Sequence, residues 1–80
     1  MVVQILFFAA MKDYFPSQDR LELSESTNVR SLRETLAERK PEASSLLSLS
    51  RFAVNQTVVN DDHILQEGVV IAVLPPSSGG

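Results

Sequence analysis

The chain has 80 residues, of which 44% are hydrophobic and 21% charged. This composition is typical of a folded globular domain, and the length supports one modest core, which argues against a second domain and against a large active-site cleft. Ten acidic and seven basic residues give a net charge of -3. The basic residues do not cluster, so we expect no nucleic-acid binding.

Cysteine is absent, which excludes disulfides, thiolate metal ligands and a cysteine nucleophile. The first residues lack the basic segment that precedes the apolar part of a signal peptide. No apolar run reaches the roughly 18 residues of a membrane span. We therefore expect a soluble, cytoplasmic protein that binds no membrane.

Two strand-like segments open the chain. The stretch 2–9, VVQILFFA, is almost continuously apolar, which predicts a strand that is central in its sheet or covered on both faces. A polar loop with Pro16 follows it. In RLELS, Leu21 and Leu23 then alternate with polar residues, so we expect this second strand to pair back on the first.

A change of period from two to 3.6 residues predicts one main helix in STNVRSLRETLAERKP. Thr27 or Asn28 can cap its first turn, and Pro41 ends it because proline disfavours helix in the residue before it. The apolar side chains of this segment share one stripe, made of Val29, Leu32, Leu36 and Ala37.

Charged residues cover the outer face of this predicted helix. We expect Glu34 and Glu38 to form solvated ion pairs with Arg30 and Arg33. Such pairs are the usual role of carboxylates on an exposed helix, and catalysis by paired carboxylates is the less common one.

The second half of the chain predicts shorter elements. EASSLLSLS fits either a short helix or a loop over buried leucines. The pair Asn55 and Gln56 between FAV and TVV predicts a tight hairpin. After a polar connection that contains Gly68, VVIAVL is a second nearly continuous apolar strand.

The single histidine, His63, follows Asp61 and Asp62 in that polar connection. The three side chains could act as an acid–base or metal cluster, but a turn in which an aspartate accepts nearby backbone N–H groups is the commoner use of such residues. No second histidine completes a metal site, and no glycine-rich loop opens a helix to hold phosphate. We therefore expect no catalytic residue and no metal site.

Two central-type strands at opposite ends of the sequence imply that the first and last strands lie side by side. With one main helix on one face of a mixed sheet, the element order predicts an α+β fold of the β-grasp, or ubiquitin-like, class. We expect this domain to span residues 1–76 and a flexible tail to span residues 77–80.

Apolar residues on both faces of the terminal strands indicate a protein interface. Phe7 and Phe8 are adjacent and so point to opposite faces, and only one of them can lie beneath the helix. In the last strand, Ile71 and Val73 likewise alternate with apolar neighbours. An apolar residue on the open face of a sheet points to a partner protein.

The segment LPPSSGG suits a narrow channel. Pro75 and Pro76 lack backbone N–H groups, so they end sheet pairing and stiffen the exit of the chain. Small or absent side chains follow at Ser77, Ser78, Gly79 and Gly80. Six extended residues reach roughly 20 Å, which would carry the terminal carboxylate into another protein. A frayed terminus is the alternative.

Three segments resemble a known family. ILFFAAMKD, AVNQTVV with DDHIL, and EGVVIAVLPPSSGG are similar to the small, sulfur-carrying subunits of molybdopterin synthase, the MoaD type of the ubiquitin-like sulfur carriers. The resemblance covers nearly the whole chain. It implies that a partner enzyme using ATP and magnesium adenylates Gly80, which is then converted to a thiocarboxylate, while Gly79 keeps the approach free of bulk.

The same resemblance implies a function and a set of partners. The tail delivers sulfur to a cyclic pyranopterin precursor in molybdenum cofactor biosynthesis, and the chain itself is a non-catalytic subunit that binds no cofactor. The implied partners are the large synthase subunit, an adenylyltransferase similar to ubiquitin-activating enzymes, and a sulfur donor enzyme. The implied assembly is a heterotetramer of two small and two large subunits.

The family pattern also suggests interface residues, which are Phe8, Leu74, Pro75 and Pro76. Leu74 stands where the family commonly has an aromatic residue, and Val69 stands where it has an aspartate. Two alternatives stay open. One is a ubiquitin-like modifier whose Gly80 is conjugated to lysines, and the other is a sulfur carrier for thiamine or tRNA thiolation.

Overall fold

The computed structural model of the chain describes residues 1–76. Its strands are β1 (Val2–Phe7), β2 (Gln18–Glu22), β3 (Arg51–Val54), β4 (Thr57–Val59) and β5 (Val70–Leu74). Its helices are α1 (Val29–Arg39), α2 (Ser44–Leu49) and two short 3₁₀ helices, Ala9–Asp13 and Pro41–Ala43. The predicted tail, 77–80, lies outside the described residues.

The five strands form one mixed sheet in the order β2-β1-β5-β3-β4. β1 and β5 are parallel neighbours, with Ile5 opposite Ile71, as expected of two apolar strands from opposite ends of the sequence. β2 pairs antiparallel with β1, and β3 pairs antiparallel with both β4 and β5. The predicted β-grasp fold, with its main helix on one face of a mixed sheet, is confirmed.

The core lies between the helices and one face of the sheet. Strand residues alternate, so that one face of β1 and β5 is buried and the other is not. The buried strand residues beneath α1 include Val3, Ile5, Phe7, Phe52, Ile71 and Val73. The predicted helical stripe meets them, with Val29, Leu32 and Leu36 buried and Ala37 half-buried at its margin.

α1 begins at a fully hydrogen-bonded first turn. Of the two predicted caps, Asn28 is the one used, because its side chain accepts the N–H three residues further on at 2.9 Å. The N–H of Val29 donates to the carbonyl of His63, and the N–H of Arg30 to that of Asp61, both at 3.0 Å. Since these N–H groups have no partner within the helix, the acidic connection is held to the start of α1.

Some predicted boundaries are wrong by a few residues. The first strand ends at Phe7 because Ala9 takes a positive φ of 51° and begins a 3₁₀ helix. The second strand is Gln18–Glu22 and not 20–24, because antiparallel pairing with β1 extends along its polar residues. Leu23 still packs on the core just beyond the strand.

Two ambiguous segments of the second half are resolved. EASSLLSLS forms a helix, in which Leu47 is buried, rather than a loop. Asn55 and Gln56 have φ values of 48° and 72°, the left-handed conformations of a two-residue hairpin turn, so the predicted hairpin is confirmed. None of the helices in residues 1–76 has the length and apolar character needed to cross a membrane.

Candidate functional site

The sheet face opposite α1 has a polar half and an apolar half. The polar half belongs to β2 and the start of β1, where the side chain of Gln4 donates to Gln18 at 3.0 Å and Arg20 lies beside them. The apolar half, which we call the apolar patch, consists of Leu6, Phe8, Val70, Ala72 and Leu74. In the part of the chain that the structure describes, no helix covers either half.

Phe7 and Phe8 lie on opposite faces of the sheet, as predicted. Phe7 is 2% exposed and stacks on Phe15, with 4.5 Å between the ring centroids. Phe8 is 43% exposed and lines a depression on the open face with Leu6. Its extended backbone continues the alternation of β1 by one residue, which directs its ring away from the core.

β5 connects the apolar patch to the point where the chain leaves the sheet. Leu74 is half-buried, pairing ends there, and Pro75 and Pro76 follow as predicted. The two prolines line a second groove on the same face, which we call the exit groove. Its lining residues are Leu49, Arg51, Val58, Leu74, Pro75 and Pro76.

Sequence reasoning missed several residues of this surface. Leu6 precedes Phe8 by two positions, so strand periodicity was a sufficient signal for it. Val58 is 54% exposed and lies opposite Ala53, a pairing that depends on the hairpin register. Leu49 is 68% exposed at the end of α2, and no sequence signal distinguishes it from the buried Leu47.

The predicted tail residues Ser77, Ser78, Gly79 and Gly80 lie outside the described residues. Covalent modification at Gly80 therefore stays a prediction. The described chain reaches Pro76, which is exposed two residues beyond the end of β5. An interface role for Phe8, Leu74 and the prolines is likewise a prediction, now attached to a continuous surface.

Asp61 and Asp62, the aspartates before His63, form ion pairs with two arginines of α1. Two nitrogens of Arg33 donate to the Asp61 carboxylate, at 2.7 and 3.3 Å, and Arg30 donates to Asp62 at 2.9 Å. The asparagine before them makes the side-chain turn, accepting the N–H of Asp62 at 3.0 Å. Within residues 1–76 no three His, Asp or Glu side chains are grouped so as to hold a metal ion.

The predicted pairing of Arg30 and Arg33 with Glu34 and Glu38 is wrong. Both arginines turn to the loop carboxylates because backbone hydrogen bonds bring 61–63 to the start of α1. The hydrogen bond to Asp62, together with its negative charge, raises the pKa of the Arg30 guanidinium above its ordinary value.

Arg33 joins three segments beside the exit groove. It donates to the carbonyls of Leu47 and Ser50 in addition to Asp61, and its guanidinium lies 4.6 Å from the centre of the Phe52 ring. These contacts fix the junction of α2 and β3. Leu49 and Arg51, the neighbours of Ser50 in the chain, line the exit groove. By holding the backbone at Ser50, Arg33 therefore stabilises that groove from the helix side of the sheet.

Comparisons with known proteins agree with this geometry. A sequence model of the ThiS family matches residues 5–80. The chain belongs to the ThiS family. This ThiS-family protein is 30% identical to the molybdopterin synthase sulfur carrier subunit of Escherichia coli (strain K12), over 99% of this chain and 100% of that one. It is 28% identical to the carrier subunit of Chlamydomonas reinhardtii, over the whole of both chains.

Solved structures of similar proteins have the same fold. A putative molybdopterin converting factor subunit 1 from Pyrococcus furiosus has a TM-score of 0.84 at 26% identity, covering 95% of this chain and 98% of that one. In a complex of subunits 1 and 2 of the molybdopterin-converting factor from Helicobacter pylori 26695, one chain matches over 100% of both, with a TM-score of 0.73 and 26% identity. The resemblance to molybdopterin synthase small subunits is confirmed.

Proposed function

We propose that this ThiS-family protein is the sulfur carrier subunit of a molybdopterin synthase and serves molybdenum cofactor biosynthesis. One observation carries the proposal. The apolar patch continues along β5 into the exit groove and the two prolines, in a chain that aligns over its whole length with carrier subunits. The protein then acts as a co-substrate that docks through one surface and presents its tail.

The residues at the end of β5 support this proposal, in which one surface docks and the tail is presented to the partner. Docking removes Phe8 and Leu74 from water, and apolar side chains at the centre of an interface supply much of the binding energy. Pro75 and Pro76 restrict the conformations of the chain just before the tail. This restriction lowers the entropy cost of placing the tail in a channel of the partner.

The chemistry that we assign to Gly80 requires activation. A free α-carboxylate has a pKa of about 3.5 and is anionic at neutral pH, so it is a poor electrophile. Attack of the carboxylate on the α-phosphate of Mg-ATP releases pyrophosphate and gives an acyl adenylate. Hydrosulfide then adds to the acyl carbon, AMP departs, and a thiocarboxylate remains.

Sulfur transfer is the second half of the proposed cycle. The thiocarboxylate sulfur attacks a carbon of the pyranopterin precursor in the large subunit and displaces an oxygen substituent of that carbon, which gives a thioester. Water then cleaves the thioester at its acyl carbon, which restores the Gly80 carboxylate and leaves the sulfur on the precursor as a thiol. Two deliveries supply the two sulfurs of the dithiolene. The catalytic groups and the sites for ATP, magnesium and pterin belong to the partners in this proposal.

The proposed partners have different degrees of support. The Helicobacter pylori complex of subunits 1 and 2 supports a large-subunit partner. The adenylyltransferase, the sulfur donor enzyme, the assembly of two small and two large subunits and the cytoplasmic location rest on the family resemblance. SAMP1 from Haloferax volcanii has a TM-score of 0.84 at 17% identity, a likeness that supports the fold alone.

The test is reconstitution with an activating enzyme, Mg-ATP and sulfide, followed by intact mass spectrometry. The wild-type chain should gain the mass difference between sulfur and oxygen, and only when ATP is present. A variant without Gly80 should gain nothing and should keep its melting temperature, because terminal residues contribute little stability. A wild-type chain whose mass stays unchanged would contradict the proposal, and branched adducts on lysines of other proteins would favour a modifier.

A further inference from the structure

The exit groove contains a cation among apolar side chains. Arg51 is the first residue of β3, it is exposed, and it lies opposite Leu74 in the β3–β5 register. Its neighbours in the groove include Leu49, which is 68% exposed, and Val58, which is 54% exposed. The guanidinium therefore lies within the surface that the apolar side chains would use for docking.

Arg51 has no counter-charge among residues 1–76. The ion pairs between side chains in this part of the chain join Arg30 to Asp62 and Arg33 to Asp61, and no side-chain hydrogen bond is formed by Arg51. As far as residues 1–76 are concerned, its guanidinium is therefore exposed to solvent.

Docking through the exit groove changes that environment. A partner that covers Leu74 and Val58 also covers the guanidinium between them and displaces its water. A buried charge without a partner is strongly unfavourable, so the covering surface has to present an anion. Among protein groups, a carboxylate fits best, because it accepts two parallel hydrogen bonds from the planar guanidinium.

Arg20 shows why position matters more than charge. It lies on the same open face, but in the polar half beside Gln4 and Gln18. No apolar patch surrounds it, so docking of the apolar half leaves its guanidinium solvated. The requirement for a counter-charge applies to Arg51 alone of these two arginines.

We infer that Arg51 binds an aspartate or glutamate of the large synthase subunit and thereby sets the position from which the tail enters that subunit. This inference rests on the proposed function. The predicted complement on the large subunit is a carboxylate flanked by apolar side chains, which cover Leu74 and the prolines. Arg51 is a specificity-determining residue of the interface and takes no part in the chemistry of Gly80.

The experiment measures binding of the cognate large subunit by calorimetry at about 0.15 M salt, where exposed charges are screened beyond about 8 Å. Arg51→Glu should weaken binding about 30-fold or more. Arg39→Glu makes the same change in net charge at the end of α1, away from the open face, and should bind within about twofold of wild type. Arg51→Lys should fall between wild type and Arg51→Glu, because it keeps the charge and loses the planar fork. Melting temperatures show whether each variant is folded.

Three outcomes would overturn the inference. The first is Arg51→Glu binding within about twofold of wild type. The second is an Arg51 effect that disappears when residues 77–80 are deleted, which would identify the chain's own terminal carboxylate as the partner. The third is a wild-type chain that does not bind the large subunit, and this outcome alone would overturn the proposed function as well.

Discussion

The two faces of the sheet carry apolar side chains from the same strands and use them differently. Beneath α1, Ile5, Phe7 and Val73 are almost completely removed from water, whereas Leu6 and Phe8 on the other face remain in contact with it. Hydrophobicity does not separate the two sets. They differ in that the described chain covers one face with its own helices and leaves the other exposed, and an exposed apolar patch of this kind is the basis for the proposed partner interface.

The open face itself repeats this contrast on a smaller scale. Its β2 side is polar and internally hydrogen-bonded through Gln4 and Gln18, and needs no partner. Its β5 side is apolar and leads to the prolines. In the proposed function, the partner therefore docks on the half of the face that leads to the two prolines.

The largest expected effect comes from comparing Phe7→Ala with Phe8→Ala, which remove the same ring from opposite faces. Phe7→Ala should lower the free energy of unfolding by about 3–5 kcal/mol, because it leaves a cavity in the core and removes the stack on Phe15. Phe8→Ala should lower it by less than about 1 kcal/mol. Urea denaturation measures both losses. Equal losses would show that the two phenylalanines contribute equally to stability, which would contradict the assignment of Phe7 to the core and Phe8 to the open face.

A smaller loss is expected from Arg33→Met. This change leaves Asp61 and two backbone carbonyls without their donor, and the side chain is only 20% exposed, so we expect a loss of about 2–3 kcal/mol. The matched control is Arg30→Met, which removes a solvent-exposed pair and should barely shift the urea midpoint. Similar shifts of the urea midpoint for the two variants would contradict the proposal that Arg33 stabilises the junction of α2 and β3.

On the open face, the expected effect is on binding. Phe8→Ala should weaken binding of the large subunit about tenfold or more, as truncation of a central aromatic residue does. Ile64→Ala is the control, because Ile64 is 48% exposed on a loop outside the apolar patch, and its loss should leave binding unchanged. Calorimetry measures both affinities. Equal weakening by the two variants would contradict the proposal that the apolar patch is the docking surface.

The smallest effect is expected at the hairpin. Gln56→Gly should raise the free energy of unfolding by about 1 kcal/mol, because Gln56 has a φ of 72° that glycine adopts without strain. Asn55→Gly should gain less, since the Asn55 side chain accepts the N–H of Val70 at 3.0 Å and glycine cannot. Urea denaturation of both variants tests this order, which a lower stability for Gln56→Gly would contradict.

The fold was predictable because it depends on the hydrophobic periodicity of the segments and on their order along the chain. Two apolar segments at opposite ends and one helical stripe were sufficient to place β1 beside β5 under α1. Strand ends were not predictable, since β1 ends at the positive φ of Ala9, a conformation that alanine disfavours and that the sequence therefore does not indicate. The partners of Arg30 were missed because Asp62 is distant in sequence, while Glu34 is local.

The candidate site was predictable in part. Adjacent phenylalanines must face opposite ways, but only the register of β1 against β5 decides that Phe8 is the outer one. The exit groove combines α2, the β3–β4 hairpin and the end of β5, so its residues are dispersed in the sequence. The role of Gly80 as the sulfur-bearing residue comes from the family resemblance. The small side chains of the tail indicate that it can enter a narrow channel, but they do not indicate which group it carries.

The most direct test separates docking from chemistry by removing Gly80 alone. After incubation with the activating enzyme, Mg-ATP and sulfide, the wild-type and shortened chains are each mixed with the large subunit and the pyranopterin precursor. Both should bind the large subunit with similar affinity, and only the wild-type chain should yield molybdopterin. Molybdopterin formed with the shortened chain would contradict the account.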